Sequence, residues 1–345
     1  MSHLRNEIHE QPEVVERLLH EHQGTANEIA EAIRRFNPAF VWIAARGTSD
    51  NAARYAQYLW GVHVRMAVGL ATPSIHTLYD SSPDLSRALV IGISQSGQSE
   101  DVRRVLSDAR GQGALTVSIT NDFESPLAKV AAYHLPINSG KELSVAATKT
   151  YTSELAAVAM IGAALTNQPE FEQTLRSLPD WMRETLFMAS NTPEWAERYR
   201  YMERYAVIGR GYNYCTAYEI SLKIKELCYI PGEEYSEADF RHGPIAVVQP
   251  GFPVILVAPQ GNTFAKQLDL LNQLHQKGAE CLVVTNSAEC EGLARRVLPI
   301  PTNVPEWLSP ILAVIPGQMF AMSLAQSRGL PLDQPRGLNK VTVTE

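Results

Sequence analysis

Ala88-Leu89-Val90-Ile91-Gly92-Ile93-Ser94-Gln95-Ser96-Gly97-Gln98-Ser99-Glu100 is the stretch from which the fold can be read. Its first six residues are continuously apolar, the pattern of a strand buried on both faces in a parallel sheet. A loop of hydroxyls follows, and Asp101-Val102-Arg103-Arg104-Val105-Leu106 then opens an amphipathic helix. A strand, a Ser/Gly loop and a helix start aim backbone N–H groups, serine hydroxyls and the positive end of a helix dipole at one small volume. Such a volume binds a phosphate. Taken alone, the loop admits a plainer reading in which Ser99 caps the helix and Gly97 merely permits the turn. The rest of the chain decides between the two.

Outward from this stretch the chain alternates between strands and helices. Apolar strands are predicted at Phe40–Ala45, Met66–Leu70, Ala88–Ile93, Leu115–Thr120 and His134–Ile137, with helices around Asn51–Tyr58, Asp101–Gln112 and Pro126–Ala132. A long Ala-rich helix over Ala146–Leu165 closes the unit. This alternation implies a mostly parallel sheet with helices on both faces, and ligands in such sheets bind at the carboxyl ends of the strands. Arg46-Gly47-Thr48-Ser49 and the Ser94–Ser99 loop both fall at strand carboxyl ends and so face one crevice. Ahead of the first strand, residues Glu7–Arg35 read as helical, with Val14, Val15, Leu18 and Leu19 as an apolar stripe. That stripe can pack on a partner subunit or fold back on its own core.

The pattern then repeats. Gly211 follows Gly47 by 164 residues, Thr285 follows Thr120 by 165 and Leu298 follows Leu135 by 163, each in a matching local motif. A near-constant offset indicates a duplicated α/β domain. In the second copy the strand Val254–Ala258 runs into Pro259-Gln260-Gly261-Asn262, so the serine loop is lost. The fold class expected is therefore α/β, with two duplicated, doubly wound parallel-sheet domains, flanking helices and an irregular tail. The domains are placed at 1–36 (helical segment), 37–170 (first copy), 171–197 (helical linker), 198–330 (second copy) and 331–345 (tail).

Composition bounds the function. The 345 residues are 45% hydrophobic and 19% charged, with a net charge of −7. This suits a well-cored chain of about two domains and argues against a nucleic-acid scaffold. Met1–Glu7 has no apolar signal core, and no segment reads as twenty uninterrupted apolar residues. Cys215, Cys228, Cys281 and Cys290 show no zinc-ligand spacing, and the first three sit in apolar patterns as reduced core residues. A cytoplasmic protein without metal or membrane contact is expected.

Candidate acid–base groups cluster in the second copy. The helix Thr216–Ile230 carries Glu219, Lys223 and Glu226 on one face and Ala217, Ile220, Ile224 and Leu227 on another. The charged face could be an ordinary solvated stripe. However, the helix follows Gly209-Arg210-Gly211 at a strand carboxyl end, where a site belongs. His242 precedes Gly243-Pro244 and therefore sits on a turn. A carboxylate, a lysine and a turn histidine near a sugar-phosphate pocket serve proton transfer between adjacent carbons. The tail Asp333–Lys340 is polar and aperiodic; its lysine can cover a site as a lid or act as an amine, or the tail can be a disordered end. Gly209-Arg210-Gly211-Tyr212-Asn213-Tyr214 lacks the third glycine of a dinucleotide fingerprint and is rejected as one.

Taken together and in order, Arg46-Gly47-Thr48-Ser49, Ser94-Gln95-Ser96-Gly97-Gln98-Ser99, Val145-Ala146-Ala147-Thr148-Lys149, Lys223-Ile224-Lys225-Glu226, Arg241-His242-Gly243-Pro244 and Asp333-Gln334-Pro335-Arg336 resemble a tandem sugar isomerase (SIS) domain protein. More narrowly the chain is similar, from about Glu7 to Glu345, to the isomerase half of the glucosamine-6-phosphate synthase family. The resemblance implies a phosphate site of Ser49, Ser94, Gln95, Ser96 and Ser99, with Gly47, Thr48 and Val145 at the sugar. It implies Glu226 as the base between C1 and C2, Lys223 beside it, His242 opening the ring and Lys340 as the tail amine. It implies no cofactor, and a homodimer in which the histidine comes from the neighbouring subunit.

The sequence also departs from that family. Position 2 is Ser2 rather than the glutaminase cysteine, so no additional domain is expected ahead of the first helix, and Gln98 stands where the synthase pattern has a glutamate, with Asn339 before Lys340. The expectation is a phosphosugar isomerase/deaminase that turns glucosamine 6-phosphate and water into fructose 6-phosphate and ammonia without glutamine. The alternatives are ammonia-dependent synthesis, deglycation of another amino-sugar phosphate or, in another class, a sugar-phosphate-sensing regulator. A regulator usually carries a DNA-reading helix, and the acidic leading segment (Glu7, Glu10, Glu13, Glu16) does not suit one.

Overall fold

The computed structural model describes residues 2–340. In chain order the helices are α1 (His3–His9), α2 (Gln11–Phe36), α3 (Gly47–His63), α4 (Pro73–Thr77), α5 (Glu100–Gly111), α6 (Pro126–Val130), α7 (Lys149–Thr166), α8 (Pro169–Leu175), α9 (Leu178–Met188), α10 (Thr192–Ala196), α11 (Tyr214–Cys228), α12 (Glu237–Arg241), α13 (Phe264–Gln276) and α14 (Ser309–Ser327). The strands are β1 (Phe40–Ala44), β2 (Val68–Leu70), β3 (Ala88–Ser94), β4 (Leu115–Thr120), β5 (Tyr133–Pro136), β6 (Tyr205–Gly209), β7 (Gly232–Ser236), β8 (Pro253–Val257), β9 (Glu280–Thr285) and β10 (Arg296–Pro299). They form two compact units. The first unit comprises 10–142 and 147–179, with the tail from Asn339; the second comprises the chain through His9, 143–146 and 180–338.

In the first unit five parallel strands lie in the order β2-β1-β3-β4-β5. The two central strands carry the longest apolar runs; β3 is buried along its whole length, as an unbroken Val/Ile/Leu run requires. Val90, Val102, Val105, Leu106 and Leu127 close the core between β3 and α5, and each such side chain taken from water contributes about 1.5–3 kcal/mol. Helix α7 is buried almost end to end, which fits an Ala-rich sequence with no polar face. Helix α2 packs against α7, so the leading apolar stripe folds onto its own unit.

The second unit repeats the plan. Its parallel order, β7-β6-β8-β9-β10, matches the first copy strand for strand. Edge strand β7 has no apolar run: Gly-Glu-Glu-Tyr-Ser is strand only because it pairs with β6 from Tyr205↔Gly232 to Gly209↔Ser236. Residues 306–327 are long and apolar enough to cross a membrane by length and composition, but this segment is entirely buried inside its unit. The leading segment is two helices, divided at Glu10, and α1 belongs to the second unit. All four cysteines are buried and unpaired with one another, and burial pushes Cys228 and Cys281 up to about 12.

Candidate active site

In the first unit the strand order reverses direction between β1 and β3, the switch point at which doubly wound sheets bind ligands. Both strands end there, and both run into helix N-termini. After β1, Arg46 is extended (φ −140°, ψ 151°) and α3 begins at Gly47. After β3, the loop Gln95–Ser99 leads into α5, so two sets of unsatisfied N–H groups and two helix dipoles face the crevice. Ser94 Oγ accepts a 3.2 Å hydrogen bond from Gly97 N–H and lies 3.4 Å from Ser99 Oγ, while Ser96 Oγ accepts from Gln98 N–H at 3.3 Å.

The plainer reading of this loop fails on two points. Ser99 makes no side-chain cap hydrogen bond to α5; its hydroxyl turns toward Ser94 instead. Gly97 does more than permit a turn. Besides its φ of +63°, a Cβ there would lie 2.2 Å from Ser125 Oγ and 2.4 Å from Ser125 Cβ, so the loop is pressed against the helix start at Ser125.

Ser49 lies in the first turn of α3, buried, and its hydroxyl donates to Glu154 of α7 at 2.8 Å. Thr48 and Gly47 are partly to fully exposed beside it, and Gln98 faces solvent. The Arg46 guanidinium donates through Nε to the fully buried Asp101 at 2.6 Å, joining the two helix starts.

The tail lysine also has a place in this unit. Lys340 Nζ donates to Glu142 Oε2 at 2.6 Å. Glu142 is buried and also accepts from Thr148 N–H at 2.9 Å, Thr150 N–H at 3.2 Å and Thr150 Oγ1 at 2.7 Å, so one carboxylate satisfies the start of α7 and the lysine together. Sequence reasoning passed over Glu142; the signal available was an acid six residues ahead of Thr148-Lys149 at a predicted helix start.

In the second unit α11 follows β6 directly. Its charged face is not a solvated stripe: Glu219 and Lys223 are fully buried. Lys223 Nζ lies 3.3 Å from Glu219 Oε1 and 2.5 Å from Glu226 Oε2. Burial by itself would lower the lysine, but the two carboxylates outweigh it and hold Lys223 well above the ordinary lysine range. Glu226 differs from its neighbours in keeping 22% of its side chain exposed, so it alone of the three can meet a substrate. Helix α14 packs along α11 and fixes its buried face. His242 stands exposed at the end of α12, its N–H bonded to Asp239 O at 3.0 Å. The carboxylate of Glu237, buried one helical turn earlier, receives both Arg210 and Arg241. Val145, in the 143–146 segment, is half-buried and its N–H is bonded to Asp333 O at 3.0 Å.

The loop after β8, which corresponds to the serine loop, is filled from within its own unit. Glu306 Oε2 accepts from Asn262 N–H at 2.8 Å and Asn262 Nδ2 at 3.2 Å, and its Oε1 from Thr263 Oγ1 at 3.4 Å. Gly261 (φ +152°) leaves the room: a Cβ would stand 2.2 Å from the Glu306 carboxyl carbon. Among the described residues, no group of three or more His, Cys, Asp or Glu side chains is placed to hold a metal ion.

Two tandem parallel α/β domains, one with a hydroxyl-rich loop between two helix starts and the other with a lysine-backed carboxylate, define the class of protein: a duplicated doubly wound α/β chain. The SIS domain family model matches residues 40–164 and 200–328, and the chain belongs to that family. It is 33% identical to glutamine–fructose-6-phosphate aminotransferase (isomerizing) of Aquifex aeolicus over 345 aligned positions, covering 98% of this chain and 57% of that protein. The chain thus spans under two thirds of that relative's length. A protein from Silicibacter pomeroyi DSS-3, described as a candidate phosphosugar isomerase, has the same fold with a TM-score of 0.86 and 32% identity, covering 96% of this chain and 99% of the other. The C-terminal domain of glucosamine-fructose-6-phosphate aminotransferase from Francisella tularensis superposes with a TM-score of 0.88 at 25% identity, covering 97% of this chain and 98% of that domain.

Proposed function

We propose that this chain is an aldose–ketose isomerase/deaminase of amino-sugar phosphates, converting glucosamine 6-phosphate and water into fructose 6-phosphate and ammonia. The observation that carries the reading is Glu226: a partly exposed carboxylate held at 2.5 Å by a fully buried lysine, on the helix that leaves the carboxyl end of β6. A carboxylate so held suits repeated proton transfer at carbon. Family membership and the Aquifex and Francisella relatives support a sugar phosphate as substrate.

In this mechanism Ser94, Gln95, Ser96 and Ser99, with Ser49, hold the phosphate through hydroxyls and helix-start N–H groups, while Gly47, Thr48 and Val145 contact the sugar. His242 shuttles the proton that opens the ring. Its exposure within its own unit suits donation to the site of a second subunit, in keeping with the homodimer that the family resemblance implies. Glu226 removes the C2 proton of the open-chain aldose and returns it to C1; the C1 oxygen takes up one proton as the double bond shifts, and the amine nitrogen gives one up as the C2 imine forms, so the step is proton-neutral overall. The product of this shift is a C2 imine; water adds at C2 and the C2–N bond breaks to release ammonia. Lys223, committed to Glu219 and Glu226, acts through Glu226 rather than at the substrate oxygen. Lys340, held by Glu142, is the tail amine near the carbonyl and forms no bond to the sugar in this scheme. The protein needs no cofactor in this scheme.

Incubating the purified chain with glucosamine 6-phosphate, without glutamine, and assaying both products tests the reading. Equimolar fructose 6-phosphate and ammonia are expected. Binding of the sugar phosphate without either product would overturn the deaminase assignment.

A further inference from the structure

The tail that carries Lys340 is tied down at more places than the lysine itself. Asp333 bonds twice: its carboxylate accepts from Leu4 N–H at 2.9 Å, and its carbonyl from Val145 N–H at 3.0 Å. Pro335 is buried. The next residue, Arg336, is the last anchor before the lysine. Its guanidinium carbon sits 4.4 Å from the centroid of the Tyr229 ring, and its backbone N–H donates to Tyr229 Oη at 2.8 Å. One side chain therefore grips both the charge and the backbone of a tail residue.

Tyr229 is held unusually firmly for this task. It is the residue that ends α11, in the left-handed conformation (φ +58°, ψ 30°), and its own N–H closes the helix on Lys225 O. A tyrosine tolerates this conformation only at a cost, and it sits three residues beyond Glu226. Lys340 lies four positions beyond Arg336, a tether of at most about 14 Å. Without the Tyr229 contact the tether would begin farther back, at Asp333.

We infer that Tyr229 is a positioning residue for Lys340: by clamping Arg336 with ring and hydroxyl, it fixes the tail so that the lysine is presented in one register. The inference rests on the functional role proposed above for Lys340. Tyr229 touches no reacting atom. It acts through the tail.

The test is a double-mutant comparison on the full-length protein. Tyr229→Leu removes ring and hydroxyl, and should lower kcat about tenfold with KM for glucosamine 6-phosphate nearly unchanged, since a small misplacement of a reacting group costs this much or more. Tyr229→Phe keeps the ring and should recover most of that loss. In a Lys340→Ala background, Tyr229→Leu should have no further effect, because the residue it positions is gone. An equal loss in both backgrounds would show that Tyr229 merely supports the fold, and would overturn the inference.

A second readout separates this inference from the reaction itself. Tyr229→Leu should accelerate tryptic cleavage after Arg336 and exchange of the Arg336 amide at least tenfold, whether or not glucosamine 6-phosphate is the substrate. Unchanged cleavage and exchange would overturn the clamp even if the deaminase reaction is correct. Accelerated cleavage in a protein that releases no product would leave the clamp standing and place the failure in the reaction.

Discussion

The two copies share one strand order and one trick, a turn that collects N–H groups and hydroxyls after the third strand of each sheet, yet they use it in opposite ways. In the first copy the turn Ser94–Ser99 bonds only to itself and to its immediate surroundings, and its polar groups line a crevice. In the second, Asn262 and Thr263 bond to Glu306 from the same unit. A helix start with free N–H groups demands an anion. The second copy takes its anion from the chain, as Glu306, and in the proposed function the first takes its anion from the substrate. The arginine after the first strand of each copy follows a common rule as well, since Arg46 is held by the buried Asp101 and Arg210 by the buried Glu237. With its turn satisfied internally, the second copy offers a different asset in Glu226 and Lys223. Under the function proposed above, the difference is a division of labour: phosphate binding in one copy, proton transfer in the other.

The sharpest way to break this division is to alter each copy separately. Glu226→Gln should lower kcat by about 10²–10⁴-fold, the range for loss of a general base, with phosphate affinity unchanged by calorimetry. Gly97→Ala forces a Cβ onto Ser125 at a backbone conformation that disfavours it, and should weaken binding of glucosamine 6-phosphate by at least about tenfold. The same measurement on Glu306→Ala should show no change in sugar-phosphate affinity; that variant should instead lose about 0.5–1.5 kcal/mol of stability with its hydrogen bonds, the exposed Asn262 donors turning to water, seen as a lower Tm. A Glu306 variant that lost sugar-phosphate binding would break the comparison.

How much of this was legible in the sequence follows from what each residue must do. The continuous run Ala88–Ile93 announces a buried parallel strand because both its faces are covered, and the repeat offsets announce the duplication. Strand β7 stayed hidden because an edge strand need not be apolar; Glu233 and Glu234 belong to it only through pairing with β6. The face Glu219–Lys223–Glu226 has a spacing that fits either water or a buried network, and only the packing of α14 along α11 decides for burial. Asp101 and Glu237 were missed because each receives an arginine distant in sequence, which no local pattern records, and Glu142 because its link to Lys340 spans 198 residues although its bonds to Thr148 and Thr150 are local. Conversely, 306–327 passes a membrane test on composition because a helix enclosed by protein meets the same apolar demand.

The two copies should also differ in how they respond to pH. All four cysteines lie in the second copy, and Cys228 and Cys281 are pushed up to about 12 by burial. A raised folded-state value means that stability is complete below the unfolded thiol's ordinary range near 9 and is lost as pH climbs toward 12, by up to about 1.4 kcal/mol per pH unit for each thiol. In the first copy burial lowers His22, His63 and His134, so its stability is present above the ordinary value of 6.5 and falls as pH drops below it. Hydrogen exchange resolved by segment should therefore show the second unit loosening first in alkali and the first unit in acid.

The division of labour meets its most direct test in heavy water. Wild-type protein given glucosamine 6-phosphate in D2O should form fructose 6-phosphate with deuterium at C1, wherever the proton on Glu226 exchanges before its return. Glu226→Gln should form none while binding glucosamine 6-phosphate with the wild-type Kd. Deuterated product at the wild-type rate from that variant, or loss of its sugar-phosphate binding, would contradict the account.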